Sequence, residues 1–245
     1  MHPPVLLVVA HGSREPRHAA TVHALTRLVR ELRPGLRVET AFLEFNAPSV
    51  PQVLGLLAAD GVRDVVAQPL LLTRAFHAKS DIPAVLRQAP STLRIRQAEV
   101  LGPSPLLLAA VERRLYEAGL TPADKSSTGL VLAAAGSTDP EAIAVIAETA
   151  RELRHTGWCA VRPAFASASL PRTEDAVRAL RADGFARVAV APYVIAPGRL
   201  PDRIAAGAGE ADLVADVLGP SPELARLLLD RYEEARAGHL LAVTA

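Results

Sequence analysis

The sequence predicts an α/β protein made of two tandem similar domains, each an open, mainly parallel four-stranded sheet with helices on both faces. Three observations lead there. Short continuous apolar runs alternate with stretches of helical periodicity. Half of the 245 residues are apolar, enough to fill real cores. The two halves of the chain also repeat one another. "LLVVAHGSREP", Leu6–Pro16, recurs as "LVLAAAGSTDP", Leu130–Pro140, and "AFLEFNAP", Ala41–Pro48, as "AFASASLP", Ala164–Pro171. "DGVRDVVAQPLLL", Asp60–Leu72, answers "DGFARVAVAPYVI", Asp183–Ile195, and "VLGPSP", Val100–Pro105, returns letter for letter as Val217–Pro222. One matching hexapeptide would mean little, but four collinear matches imply duplication of a domain-sized unit. The expected limits are residues 1–118 for the first lobe, 119–128, "GLTPADKSST", for a linker, and 129–245 for the second lobe.

The elements of the first copy follow in order. Val5 to Ala10 reads as a buried strand. Val22, Leu25, Val29 and Leu32 then recur at helical spacing until Pro34 and Gly35 stop them. Arg37 to Leu43 is the second strand, leading into a helix that carries Val50, Val53, Leu54 and Leu57. Val62 to Leu72 is the third strand, Arg94 to Val100 the fourth, and Ser104 to Ala118 the closing helix. Strands that are apolar throughout, rather than alternating, fit a parallel sheet covered on both faces, and right-handed crossovers then gather every carboxyl end on one edge.

Charge and composition exclude several classes. Net charge is +1, with 27 Lys+Arg against 26 Asp+Glu, so the total recommends neither a nucleic acid nor an anionic membrane as partner. No apolar run approaches the roughly 18 residues of a membrane helix. The start, "MHPPVLLVVAHGS", makes a poor signal peptide. The single cysteine, Cys159, cannot form an internal disulfide, and the cytoplasm is its natural setting.

In open parallel sheets ligands bind beyond the carboxyl ends of the strands. The first copy puts three metal-ligating side chains on that edge: His11 after strand one, Glu44 at the end of strand two, and His77 in "TRAFHAKSDIP" after strand three. Taken singly, a histidine after a strand also serves as a turn or helix-capping residue, and Glu44 as a surface charge. The duplicate weighs against that. Position 11 becomes Ala135, position 44 becomes Ser167, and the His77 loop becomes "APGRLPD", Ala196–Asp202, without histidine. A folding role would be wanted in both copies. Imidazole suits iron, cobalt, nickel, copper and zinc, and is mostly neutral near pH 7. Two histidines and a carboxylate leave coordination positions open, which favours a site that hands its metal on. His2, His18, His23, His155 and His239 read as structural or solvent-exposed.

"VAHGSREP", "FLEFNAPSV" and "PLLLTRAFHAKSDIP", in that order, resemble the small class II chelatases, which insert cobalt or iron into sirohydrochlorin on the way to cobalamin or sirohaem. The resemblance covers the first copy fully and the second as a degenerate partner, similar to two-lobed chelatases that hold the tetrapyrrole in a cleft between lobes. It implies that His11 and His77 are metal-binding histidines and Glu44 the acidic residue near the metal. It also implies Fe²⁺ or Co²⁺ as a substrate, no organic cofactor or ATP, and a monomer or homodimer; because the second copy lacks these residues, one active site per chain is expected. Sirohydrochlorin is a polycarboxylate, so cationic donors should rim the site. Arg14, Arg74 and Lys79 flank the two histidines in sequence, and Ser13, after Gly12, could offer a backbone N–H to a carboxylate. Two rivals use the same residues. A metal or tetrapyrrole carrier would bind without turnover. Histidine phosphatases also place His-Gly after a first strand, but with an arginine before the histidine, where this chain has Ala10.

Overall fold

The computed structural model describes residues 3–74 and 80–242. Two four-stranded sheets are present, all of whose paired strands are parallel. The first contains β1 (Val5–Ala10), β2 (Val38–Phe42), β3 (Asp64–Pro69) and β4 (Arg94–Gln97) in the order β2-β1-β3-β4. The second contains β5 (Thr128–Ala134), β6 (Ala160–Phe165), β7 (Arg187–Tyr193) and β8 (Leu213–Val214) in the order β6-β5-β7-β8. The fold expected from the duplicated phrases is therefore the fold observed.

β1 is buried along its whole length, as its unbroken apolar run requires. Val5, Leu7 and Val9 point to one face and join the core formed by Val53, Leu54 and Leu57 of α2 (Val50–Ala59). Leu6 and Val8 occupy the opposite face and are equally buried. α1 (Pro16–Leu32) buries Val22, Leu25 and Val29, whereas Leu32, the last residue of the expected stripe, is 45 % exposed because the helix ends there. Glu15 caps α1 with a carboxylate and Ser49 caps α2 with a hydroxyl. A short helix, α3 (Ile82–Leu86), begins inside the segment expected as the His77 loop; with a single buried residue, Ile82, it leaves no periodic signal. The third and fourth strands are shorter than expected, β3 ending at Pro69 and β4 at Gln97; β4, "RIRQ", is largely polar and only partly buried, unlike the apolar strands beside it.

The second sheet is flanked by α5 (Pro140–His155), α6 (Thr173–Ala182) and α7 (Arg199–Gly207). Two further helices close the repeats: α4 (Pro105–Glu117) and α8 (Pro222–Ala242). Their membership does not follow the chain. One compact unit is Met1–Gly102 with Pro220–Ala245, the other Pro103–Gly219. α8 packs on α1 and β3, and α4 on β7 and α5. Both crossings fall within the repeated "VLGPSP", at Gly102 to Pro103 and Gly219 to Pro220. The exchange is reciprocal in detail. Arg114 of α4 donates through Nε and Nη2 to the Leu218 carbonyl (3.1 and 3.0 Å), and Arg231 of α8 donates to the carbonyls of Val100 (3.0 Å) and Leu101 (3.2 Å). We retain 1–118, 119–128 and 129–245 as the proposed limits of the repeats, distinct from the compact units. Pro122–Ser126 of the linker forms a 3₁₀ turn. Among the described residues no helix is long and apolar enough to cross a membrane.

Candidate functional site

The strand β1 delivers His11 at its carboxyl end, and the chain there is welded to the segment after β2. Leu43 N–H donates to the Ala10 carbonyl (3.0 Å) and Glu44 N–H to the His11 carbonyl (2.9 Å), continuing the ladder past the sheet. Gly12, at φ +96°, makes the next step possible: a Cβ there would lie 1.9 Å from the Glu44 carbonyl oxygen. Ser13 N–H then donates to Asn46 Oδ1 (2.8 Å), and the Ser13 hydroxyl accepts from Glu15 N–H (3.1 Å), which turns the chain into α1. Two of the three expected ligands, His11 and Glu44, are thus held side by side by backbone bonds between residues 33 apart.

The second repeat builds the same scaffold. Ser167 N–H donates to the Ala135 carbonyl (3.0 Å), Gly136 sits at φ +95° with its absent Cβ 1.9 Å from the Ser167 carbonyl, and Ser137 N–H donates to Ser169 Oγ (3.2 Å). Only the chemistry differs. Ala135 replaces His11, and Ser167, in the place of Glu44, turns its hydroxyl back to the Ala135 carbonyl (2.9 Å). Gly12, Ser13 and their counterparts therefore serve the turn, while His11 and Glu44 are additions to it.

Around His11 the structure gathers side chains to which the sequence reading gave no role. Phe45 is 54 % exposed and adopts φ +62°, a left-handed conformation that costs a side-chain-bearing residue energy and recurs at ligand sites. Its ring meets His11 edge-on, with centroids 6.3 Å apart, and carries the Arg14 guanidinium at 5.3 Å. In the second repeat this position is Ala168, at φ 59°. The signal was available, since the duplicate keeps the bend and drops the ring. His18, on the first turn of α1, is half-buried with Nδ1 shielded from solvent and without a protein partner. Burial lowers its pKa below the usual histidine value, and interaction with His11 lowers it further. Its single spacing on an amphipathic helix gave no hint of this. His23 and His155 are exposed, as expected.

Of the remaining expected residues, Glu44 is exposed on the same edge, and Arg74 is exposed and pairs with Glu99 at 3.6 Å. His77 and Lys79 lie outside the described residues. Among the described residues no group of three His, Cys, Asp or Glu side chains is placed to hold a metal ion.

The CbiX family profile matches residues 5–118 and 129–235. The chain is 27% identical over 250 residues to the sirohydrochlorin cobaltochelatase of Priestia megaterium, covering 96% of this chain and 81% of the relative. It is 28% identical over 207 residues to the sirohydrochlorin ferrochelatase of the same organism, covering 81% and 76%. In fold it is similar to the solved structure of SirB from Bacillus subtilis with Fe³⁺, with a TM-score of 0.81, 24% identity and 95% of each chain covered.

Proposed function

Because the chain belongs to the CbiX family, matched across both repeats, we propose that it is a sirohydrochlorin chelatase, a lyase inserting Fe²⁺ or Co²⁺ in the formation of sirohaem or cobalamin. The divalent metal is a substrate. The observation that carries the reading to particular residues is the pair of matching turns, alike in backbone, of which only the first bears His11, Glu44, Phe45 and Arg14.

Insertion exchanges two pyrrole N–H protons for a dication. In our reading His11 and His77 present the metal to one face of the ring, and Glu44 completes the ligand set or accepts a departing proton. Transfer runs downhill because four ring nitrogens hold a divalent ion more firmly than two or three flexible side chains, so proximity is the main demand on the protein. Phe45 offers an exposed apolar face beside the metal. Arg14, Arg74 and Lys79 are the proposed donors to substrate carboxylates; the Ser13 N–H expected to join them is already given to Asn46 Oδ1 at 2.8 Å. We place the chain in the cytoplasm, working as a monomer or homodimer.

Purified protein mixed with sirohydrochlorin and low Fe²⁺ or Co²⁺ should change the ring's absorption faster than the metal alone does. Binding without such a rate would identify a carrier and end the chelatase reading. Gly12→Ala tests the placement of the site. The added methyl must displace the Glu44 carbonyl and hold φ +96°, at a cost of about 1–3 kcal/mol. Gly136→Ala meets the same obstacle at Ser167. Both variants should unfold at lower denaturant, but only Gly12→Ala should lose insertion. Equal loss in the two would contradict a site confined to the first turn.

A further inference from the structure

The second repeat is more than a copy that lost its ligands. Between the first turn of α6 and the helix α7 lies a cavity of about 500 Å³, lined by residues that include Phe165, Arg172, Thr173, Glu174, Arg203 and Gly207. All of these belong to the Pro103–Gly219 unit. Thr173 is 2 % exposed, and its Oγ1 is buried with no protein partner; Arg172 Nη1 is likewise buried and unpartnered. A guanidinium can only donate, and an unmet buried N–H of a cation is costly, so the wall asks for an acceptor.

The duplicate shows how unusual this is. Arg172 is the N-cap residue of α6, and its counterpart in the first repeat is Ser49, whose hydroxyl caps α2. At α6 no side chain caps the helix. An acceptor has thus been replaced by a cation at the positive end of a helix, where the macrodipole disfavours it. Asp175, which accepts the Arg172 backbone N–H at 3.1 Å, leaves the guanidinium Nη1 unmet. Arg203 lines the same cavity from α7. The two helices approach closely because residue 207 is glycine: a Cβ there would lie 2.6 Å from Glu174 Oε2 and 3.1 Å from Thr173 Cβ. Glu174 and Glu210 also border the cavity; both are exposed, which keeps them at its rim and opposes a ligand bearing many negative charges.

We propose that this cavity is a binding site for a small oxyanion, a carboxylate or a phosphate, seated on Arg172, the Thr173 hydroxyl, Arg203 and the free N–H groups opening α6. An anion there meets the helix terminus and, once Arg172 and Thr173 turn toward it, the donors that have no accessible surface in the ligand-free fold. The lining lies wholly in the Pro103–Gly219 unit and includes none of His11, Glu44 and His77, so its test does not depend on the chelatase reading.

The test is calorimetric titration of the full-length protein, free of metal and tetrapyrrole, with inorganic phosphate and separately with succinate, against sodium chloride at matched ionic strength. Saturable binding of phosphate alone identifies a phosphate site, of succinate alone a carboxylate site, and of both a general oxyanion site. Arg172→Ala and Thr173→Val should each weaken it by about tenfold or more. Arg172→Ser restores the first repeat's capping residue, so it should fold at least as well as the parent and lose binding. No saturable binding of either anion, or unchanged affinity in Arg172→Ser, would overturn the proposal.

Discussion

Replacing His11 with alanine is expected to lower the rate of metal insertion on the order of 100-fold or more while leaving the thermal unfolding of the protein near that of the parent. The turn that carries His11 is held by backbone bonds and by Gly12, Ser13 and Asn46, none of which needs the imidazole. His77→Ala should do the same, since a ligand set that loses one of two histidines no longer holds the ion against water. The reciprocal change, Ala135→His, should restore nothing to His11→Ala. It adds an imidazole beside Ser167, whose hydroxyl is already bonded to the backbone, and the segment in the place of the His77 loop, Ala196–Asp202, runs into α7 and has no histidine. Insertion kinetics at varied metal concentration check all three variants. Parental turnover in either histidine variant would overturn the site assignment.

The second large effect concerns folding. A fragment comprising residues 1–118 contains the whole first repeat, yet it should fail to fold, because it lacks α8. That helix buries Leu224, Leu227, Leu228 and Tyr232, and the Tyr232 hydroxyl donates to the Pro4 carbonyl (2.8 Å). Each large apolar side chain contributes about 1.5–3 kcal/mol on burial. Removing four of them takes away roughly the whole stability of a typical domain, about 5–15 kcal/mol. Residues 129–245 should fail in the same way for want of α4. Residues 103–219, by contrast, include every helix of their compact unit and should unfold cooperatively, as should residues 1–102 joined by a flexible linker to 220–245. Circular dichroism and denaturant titration of the four fragments decide it. A cooperative transition in 1–118 would mean that α4 can serve its own sheet.

Most of the architecture is legible in the amino-acid sequence. Unbroken apolar runs give buried parallel strands, 3.6-residue periodicity gives α1 and α2, and proline and glycine mark their ends, all local effects that a sequence records directly. The duplication made His11 and Glu44 conspicuous by their loss in the second copy. The same comparison also held the clue to Phe45 and to Arg172, whose counterparts are Ala168 and Ser49.

What the chain's order of residues determined on its own is therefore the repeated β/α unit, its parallel strands and the edge on which chemistry could gather. Only the tertiary structure decided three things: that α4 and α8 each close the sheet of the other repeat, that His18 is half-buried within electrostatic reach of His11, and that Arg172 and Thr173 line a cavity with their donors unmet. The reason is physical. α4 and α8 present buried leucines after the same "VLGPSP", and local propensity cannot tell one parallel sheet from its duplicate. The choice between them rests on contacts made over more than a hundred residues, such as Arg114 with Leu218 and Arg231 with Val100.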